Sequence, residues 1–134
     1  MGSPSKEFYD AVIIGAGPIG GYLGWNLGRL GHSVLIIEEH SEIGRPFQCA
    51  GLVNPGAMAR VPLEKTVLSP IWGARINSPN GITVDIGSPE RIRTWSVCRK
   101  KFDEGVVKLA VDSGAELLLN STPTNITKEI KTNV

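Results

Sequence analysis

Excess charge is what this chain most plainly lacks: 134 residues carry a formal net charge of +1. Without a basic surplus there is no electrostatic footprint for a phosphate backbone. The one basic cluster, Arg99-Lys100-Lys101, reads as the solvated start of a helix, so nucleic acid is not an expected partner. Cysteine is nearly absent too. Cys49 and Cys98 lie far apart, with no CxxC spacing and no accompanying histidine cluster, which excludes a disulfide framework and a zinc site. No metal is expected, and a reducing cytoplasm fits best. Nor is there a long unbroken apolar run: Ala11 to Ile37 is interrupted by glycines, Asn26, Arg29 and His32, and no charged-then-apolar leader precedes it. Neither a transmembrane helix nor a signal peptide is expected. The glycosylation patterns at Asn120 and Asn125 therefore carry little weight. What remains, 41% hydrophobic and 20% charged, is the composition of one ordinary soluble domain.

Glycine, by contrast, is concentrated. Seven of the 16 glycines fall between Val12 and Glu39, inside what otherwise reads as strand, helix and strand. Tyr9 to Ile14 is a short β-branched run ending at Gly15, expected to be a strand buried on both faces. A helix is expected from Gly17 to Leu30, closed by Gly31, and a second strand from Ser33 to Ile37 delivers Glu38. So short a crossover makes the two strands parallel and the connection right-handed. The residues after Glu39 are rich in Gly and Pro and read as a long ordered loop with one short helix near Gly56 to Arg60. Alternation around Pro79-Asn80-Gly81 signals a β-hairpin outside the parallel sheet. Thr94 to Cys98 reads as a further strand. Lys100 to Ser113 reads as a helix that buries Phe102, Val106, Leu109 and Ala110, and Ala115 to Leu119 as the next parallel strand. Residues 1–8 read as a polar, flexible tail and 9–134 as the domain. The weak alternation in "NITKEIKTNV" leaves a last strand open.

Gly15-Ala16-Gly17-Pro18-Ile19-Gly20 fits G-x-G-x-x-G, weak by itself and much stronger here. It follows a strand, opens a helix, and is followed at roughly the 20-residue distance of a dinucleotide site by an acid, Glu38, at the end of the next strand. Gly15 permits the tight turn, Gly17 lets the backbone approach a pyrophosphate, and Gly20 brings helix and sheet together. The anion would be held by unpaired N–H groups and the helix dipole, and Pro18 suits the first helical position. Gly20, Gly24 and Gly28 recur every fourth residue, a smooth stripe for close packing against a strand or another helix. Glu38 would take the hydroxyl pair of an unphosphorylated ribose and repel a 2′-phosphate, which argues against NADP. Glu39, pointing the other way, reads as a solvated acid.

Taken together, "YDAVIIGAGPIGG", "VLIIEEHSEIGRPFQCAGLV" and "VCRKKFDEGVVKLAVDSGAELLL" resemble the N-terminal third of archaeal geranylgeranyl reductases, also called digeranylgeranylglycerophospholipid reductases, within the wider group of FAD enzymes that includes para-hydroxybenzoate hydroxylase. The resemblance covers most of Tyr9 to Thr124. It implies an α/β, Rossmann-like FAD-binding domain with a parallel sheet and an inserted β-hairpin, incomplete relative to the full family fold. Its implied activity is the FAD-dependent reduction of isoprenoid double bonds in geranylgeranyl lipid precursors, with a possible peripheral membrane contact. By position, Gly15, Gly17, Pro18, Ile19 and Gly20 would cradle the pyrophosphate and Glu38 the adenosine ribose. Cys49, Ala50 and Gly51 match a cysteine-containing loop near the flavin, Arg99 an arginine near the ribityl and phosphate portion, and Thr124 a position that meets the adenine through backbone groups. Some members carry C-G-E-G where this chain has Cys49-Ala50-Gly51-Leu52.

Read from the residues alone, Cys49 is a redox thiol, a proton donor beside the flavin, or inert packing; it is the only catalytic candidate. Arg99 stands at a helix start, where the dipole disfavours a cation, so an anionic partner nearby is expected. Arg45 reads as a surface residue, His32 and His40 as turn residues, Cys98 as buried, and Trp72 and Trp95 as packing. Family enzymes run to roughly three times this length, beyond a single small domain, so an N-terminal fragment with reduced cofactor affinity is expected. A class A flavin monooxygenase would share all these residues. A non-enzymatic prenyl-binding module of the GDP-dissociation-inhibitor type would lack flavin.

Overall fold

A computed structural model of the chain describes residues 4–47 and 49–127. The expected βαβ unit opens it. Strand β1 (Ala11–Ile14) leads into helix α1 (Pro18–Arg29) and then strand β2 (Val34–Ile37), which lies parallel to β1 with Ala11 beside Val34 and Ile14 beside Ile37. Gly17 is the N-cap of α1 and Pro18 its first residue; Gly31, at φ +87°, follows the last turn. This is the proline-in, glycine-out asymmetry of a well-ended helix. Helix α3 (Arg99–Asp112) and strand β8 (Glu116–Leu118) complete the layer, with β8 parallel to β2. The sheet order β1-β2-β8 puts the most apolar strand in the centre, where Val34, Leu35 and Ile36 are all buried.

The flanking strand departs from expectation. In β1 only Ile13 is buried, while Val12 and Ile14 are 53% and 60% exposed. Side chains of a strand alternate between faces, and α1 and α3 cover one face of the sheet only at this position. Helix α3 differs in one residue as well. Phe102, Val106 and Ala110 are buried as expected, but Val107 takes the place given to Leu109, which is half-buried. The face is set by α1: a Cβ on Gly21 would lie 3.0 Å from the Val107 nitrogen, so this turn of α3 sits hard against the glycine side of its neighbour. The glycine stripe has the expected use. A Cβ on Gly24 would be 2.8 Å from Ile36 Cδ1, and one on Gly28 would be 2.5 Å from Ser113 Oγ.

Between β2 and α3 the chain builds a second layer absent from the sequence reading. Strands β3 (Leu52–Val53), β4 (Val67–Ile71) and β7 (Thr94–Val97) form an antiparallel sheet in the order β3-β7-β4. Short helix α2 (Pro55–Met58), capped by the Asn54 side chain, and a 3₁₀ turn at Glu64–Thr66 lie between them. The expected hairpin, β5 (Gly73–Asn77) with β6 (Thr83–Gly87), stands apart from both sheets. One apolar cluster fills the space between parallel sheet and helices; a second gathers Met58, Val61, Val97, Phe102 and Val106 around the other side of α3, with Trp95 packed on it. Trp72 is exposed rather than packed, and Cys98, at the N-cap of α3, is half-buried rather than buried. Ser5, in the segment read as a tail, hydrogen-bonds the Glu116 carboxylate, as does the Tyr9 hydroxyl at 2.6 Å. Most of the residues read as an open last strand lie outside the described residues. No helix among the described residues is long and apolar enough to cross a membrane.

Candidate nucleotide-binding site

At the C-terminal edge of the parallel strands the chain turns sharply from β1 into α1. Gly15 makes that turn at φ +97°, a region costly for residues with a Cβ, and its N–H donates to the Ile37 carbonyl at 2.7 Å. Gly20 lies against the turn it follows: a Cβ there would be 2.0 Å from the Gly15 carbonyl oxygen. Gly17 is different. Its φ of −74° is ordinary, and a Cβ would meet nothing within 4 Å. Protein packing therefore does not require glycine at 17, and the space in front of the first turn is open. No side chain caps α1 and no acid stands in its first turn, so N–H groups at the positive end of the dipole face that space. An anionic group fits there.

Glu38 borders the same space. Its carboxylate Oε2 accepts the Ala16 N–H at 2.8 Å, and Oε1 accepts the His40 N–H at 3.0 Å and faces His40 Nδ1 at 2.5 Å. Burial works to raise the carboxyl pKa, but these donors outweigh it and hold Glu38 below the ordinary glutamate value. The anion is thus tied at once to the glycine turn and to the chain leaving β2. Glu38, Glu39 and His40 offer ligand atoms within 4.8 Å of one another; the Glu38–His40 contact that draws them together is a hydrogen bond. His40, read from sequence as a turn residue, is therefore part of the site.

A cleft of about 220 Å³ joins these groups to the loop after β2 and to the start of α3. Gly17, Pro18, Glu38, Cys49 and Arg99 all line it, so the structure brings together candidates spread over 83 positions of sequence, from 17 to 99 inclusive. Cys49 is exposed, and its thiol is held below its usual pKa, first by the Gly51 N–H and further by Arg99, against opposing effects of desolvation and Asp103. Gly51, at φ +75°, is pressed against β7: a Cβ would be 2.6 Å from the Val97 carbonyl. That contact carries the cysteine loop to the β7–α3 junction where Arg99 begins. The anion expected near Arg99 is supplied by the chain itself, since Nε and Nη2 donate to the two oxygens of the buried Asp103, one helical turn on, at 3.0 and 2.7 Å. Arg45 is exposed, as the surface reading has it, and with Phe47 it also lines the cleft.

Six candidates stand outside the cleft lining: Gly15, Gly20 and Gly51, whose placement is described above, and Ala50, Ile19 and Thr124. Ala50 is exposed beside the cleft. Ile19 is exposed and lines a separate apolar recess of about 370 Å³ with Tyr22, Leu52 and Phe102, which meets the cleft at Pro18 and Arg99. Thr124 is exposed and borders neither. Instead Ser121, Thr122 and Pro123 line a recess of about 180 Å³ on the other side of Glu38, with the Ser121 N–H bonded to the Glu38 carbonyl at 2.9 Å.

A Gly-lined turn between parallel strand and helix, an open anion cradle and an acid at the next strand end define a Rossmann-like dinucleotide-binding domain. A family model described as an NAD(P)-binding Rossmann-like domain matches residues 13–64. Over 131 residues the chain is 31% identical to a digeranylgeranylglycerophospholipid reductase of Methanococcoides burtonii, an alignment covering 95% of this chain and 32% of that protein. Among solved structures, a geranylgeranyl bacteriochlorophyll reductase-like protein from Thermoplasma acidophilum is similar at TM-score 0.80 and 26% identity, covering 90% of this chain and 32% of that one. A flavin-dependent brominase is similar at TM-score 0.72 and 27% identity, with 90% and 31% covered. The chain is similar to digeranylgeranylglycerophospholipid reductases at 31–35% identity and spans about a third of the length of the curated relatives it matches.

Proposed function

We propose that this chain is the FAD-binding portion of a flavin-dependent oxidoreductase that reduces isoprenoid double bonds of geranylgeranyl lipid precursors. The observation that carries the nucleotide-binding part is the open space before Gly17, flanked by the N–H groups of α1 and by an ionised Glu38. In this reading the first turn of α1 holds the diphosphate, and Glu38 accepts the hydroxyls of the adenosine ribose. A carboxylate at this point repels a 2′-phosphate, which disfavours NADP; the preference for FAD over NAD is supported by the flavin-dependent neighbour. Ser121 to Pro123 border the far side of Glu38, the place the reading gives to the adenine, with Thr124 one residue beyond. The names of the relatives support the reductase activity and the lipid substrate, and the brominase neighbour supports a flavin. Bound FAD supplies the hydride chemistry; the chain supplies orientation and charge. In this reading Cys49, exposed and with a lowered thiol pKa, would be the cleft residue that faces the flavin. A reducing cytoplasm suits the two free cysteines, and the whole enzyme would reach its lipid from a membrane surface.

Gly17→Val and Glu38→Arg test the site. The purified chain is loaded with FAD, desalted and scored for retained flavin. Both variants are expected to lose retention by about tenfold or more, Gly17→Val by filling the open space before the first turn and Glu38→Arg by removing a charge-assisted acceptor. Gly17→Val should keep its melting temperature, because its Cβ meets nothing within 4 Å. Unchanged retention in both variants contradicts the assignment.

A further inference from the structure

The charges around the cleft are unequally committed. Arg99 is locked to the buried Asp103 by two hydrogen bonds and enters as one half of a neutral pair. Lys100, just outside, donates to Glu42 Oε2 at 2.7 Å. Glu42 is therefore already engaged, and Arg45 reaches it only at 3.7 Å, from Nε to Oε1. Arg45 is instead carried on an aromatic face: its guanidinium carbon lies 4.1 Å from the centroid of the Phe47 ring. Its side chain is 47% exposed, and both residues line the same cleft as Gly17 and Pro18.

A diphosphate entering this cleft meets Glu38 and Glu39 as neighbouring negative charges, while α1 offers N–H dipoles but no full positive charge. Its charge calls for a cation that is not already spent. Stacking on a ring occupies the guanidinium face and leaves free the edge that carries its N–H donors, the geometry that grips phosphate oxygens in pairs. We propose that Arg45, held on Phe47, is the side-chain cation that binds the diphosphate of the dinucleotide in this cleft. The proposal rests on the nucleotide-binding reading above and assigns a function to a residue that sequence alone leaves on the surface.

Calorimetric titration of the whole chain with adenosine and with ADP separates the two claims. Arg45→Ala is expected to lower ADP affinity about tenfold, the loss of one charge-assisted contact, and to leave adenosine affinity within about twofold. Arg45→Lys should recover part of the loss, restoring the charge without the fork, and Arg45→Ala should flatten the salt dependence of ADP binding. If the unaltered chain binds both ligands and Arg45→Ala binds ADP as well as it does, Arg45 is not the phosphate cation and the nucleotide site stands. If Arg45→Ala weakens adenosine and ADP equally, Arg45 merely supports the loop and the proposal fails. If the unaltered chain binds neither ligand, the nucleotide reading falls and the proposal with it.

Discussion

Glu38 shows how much one side chain depends on its donors. Its carboxyl lies below the ordinary value near 4.5 because the Ala16 and His40 N–H groups and the His40 ring outweigh burial. A lowered folded-state pKa stabilises the fold fully above the unfolded value, and that stabilisation is lost as pH falls through the lowered one. The Glu38 side-chain carbon, followed by NMR, should therefore titrate below pH 4.5, and the Glu38 contribution to adenosine affinity should stay flat from pH 8 to about 5. A midpoint above 4.5 would mean that desolvation wins. Cys49 offers an independent check. With the Gly51 N–H and Arg99 favouring its thiolate, and with Cys98 half-buried at a helix cap, iodoacetamide should modify Cys49 several-fold faster, roughly in line with thiolate fraction and exposure. Arg99→Gln should slow it; equal rates at the two cysteines would contradict the contact. Glu38 was legible in the sequence because local spacing fixes its place at a strand end. His40 and Arg45 were not, because their contacts depend on how the loop after β2 folds back over the glycine turn.

Among the elements, α1 carries the greatest constraint, and its glycines are not equivalent. Gly17 faces open space, whereas a Cβ at Gly20 would drive into the Gly15 carbonyl at 2.0 Å. Gly17→Ala should leave stability within about 0.5 kcal/mol, as at an unconstrained site, while Gly20→Ala should cost about 1–3 kcal/mol by overpacking. Denaturant midpoints of the two variants measure the contrast, and a Gly20→Ala as stable as Gly17→Ala would show that the turn is looser than described. The βαβ unit, α3 and β8 could be read from periodicity and end signals because their burial repeats locally. The two-residue β3 and the pairing of β7 with β4 could not: Leu52–Val53 has no room for alternation, and the ladder joins residues far apart in sequence. The Val107-for-Leu109 exchange on α3 has the same origin, since a helix facing two clusters is rotated by partners that its own pattern does not name.

The whole molecule is a nucleotide-binding layer with two apolar clusters on either side of α3, matched to about a third of each relative's length. Val12 and Ile14 face outward from β1, and the β5–β6 hairpin turns Ile76, Val84 and Ile86 outward opposite its Arg75–Asp85 ion pair. The glycine motif with its acid pointed to the turn between β1 and α1; the meeting of that turn with Cys49, Arg99 and the Arg45 loop in one cleft required the tertiary fold. Mapping amide shifts of the isotopically labelled chain during titration with ADP tests the central claim most directly. The largest changes should fall on Ala16, Gly17, Ile19 and Glu38, with smaller ones along residues 44–47. Changes centred on the hairpin or on the recess around Tyr22 and Phe102, with the glycine turn unmoved, would place the nucleotide elsewhere and contradict the account.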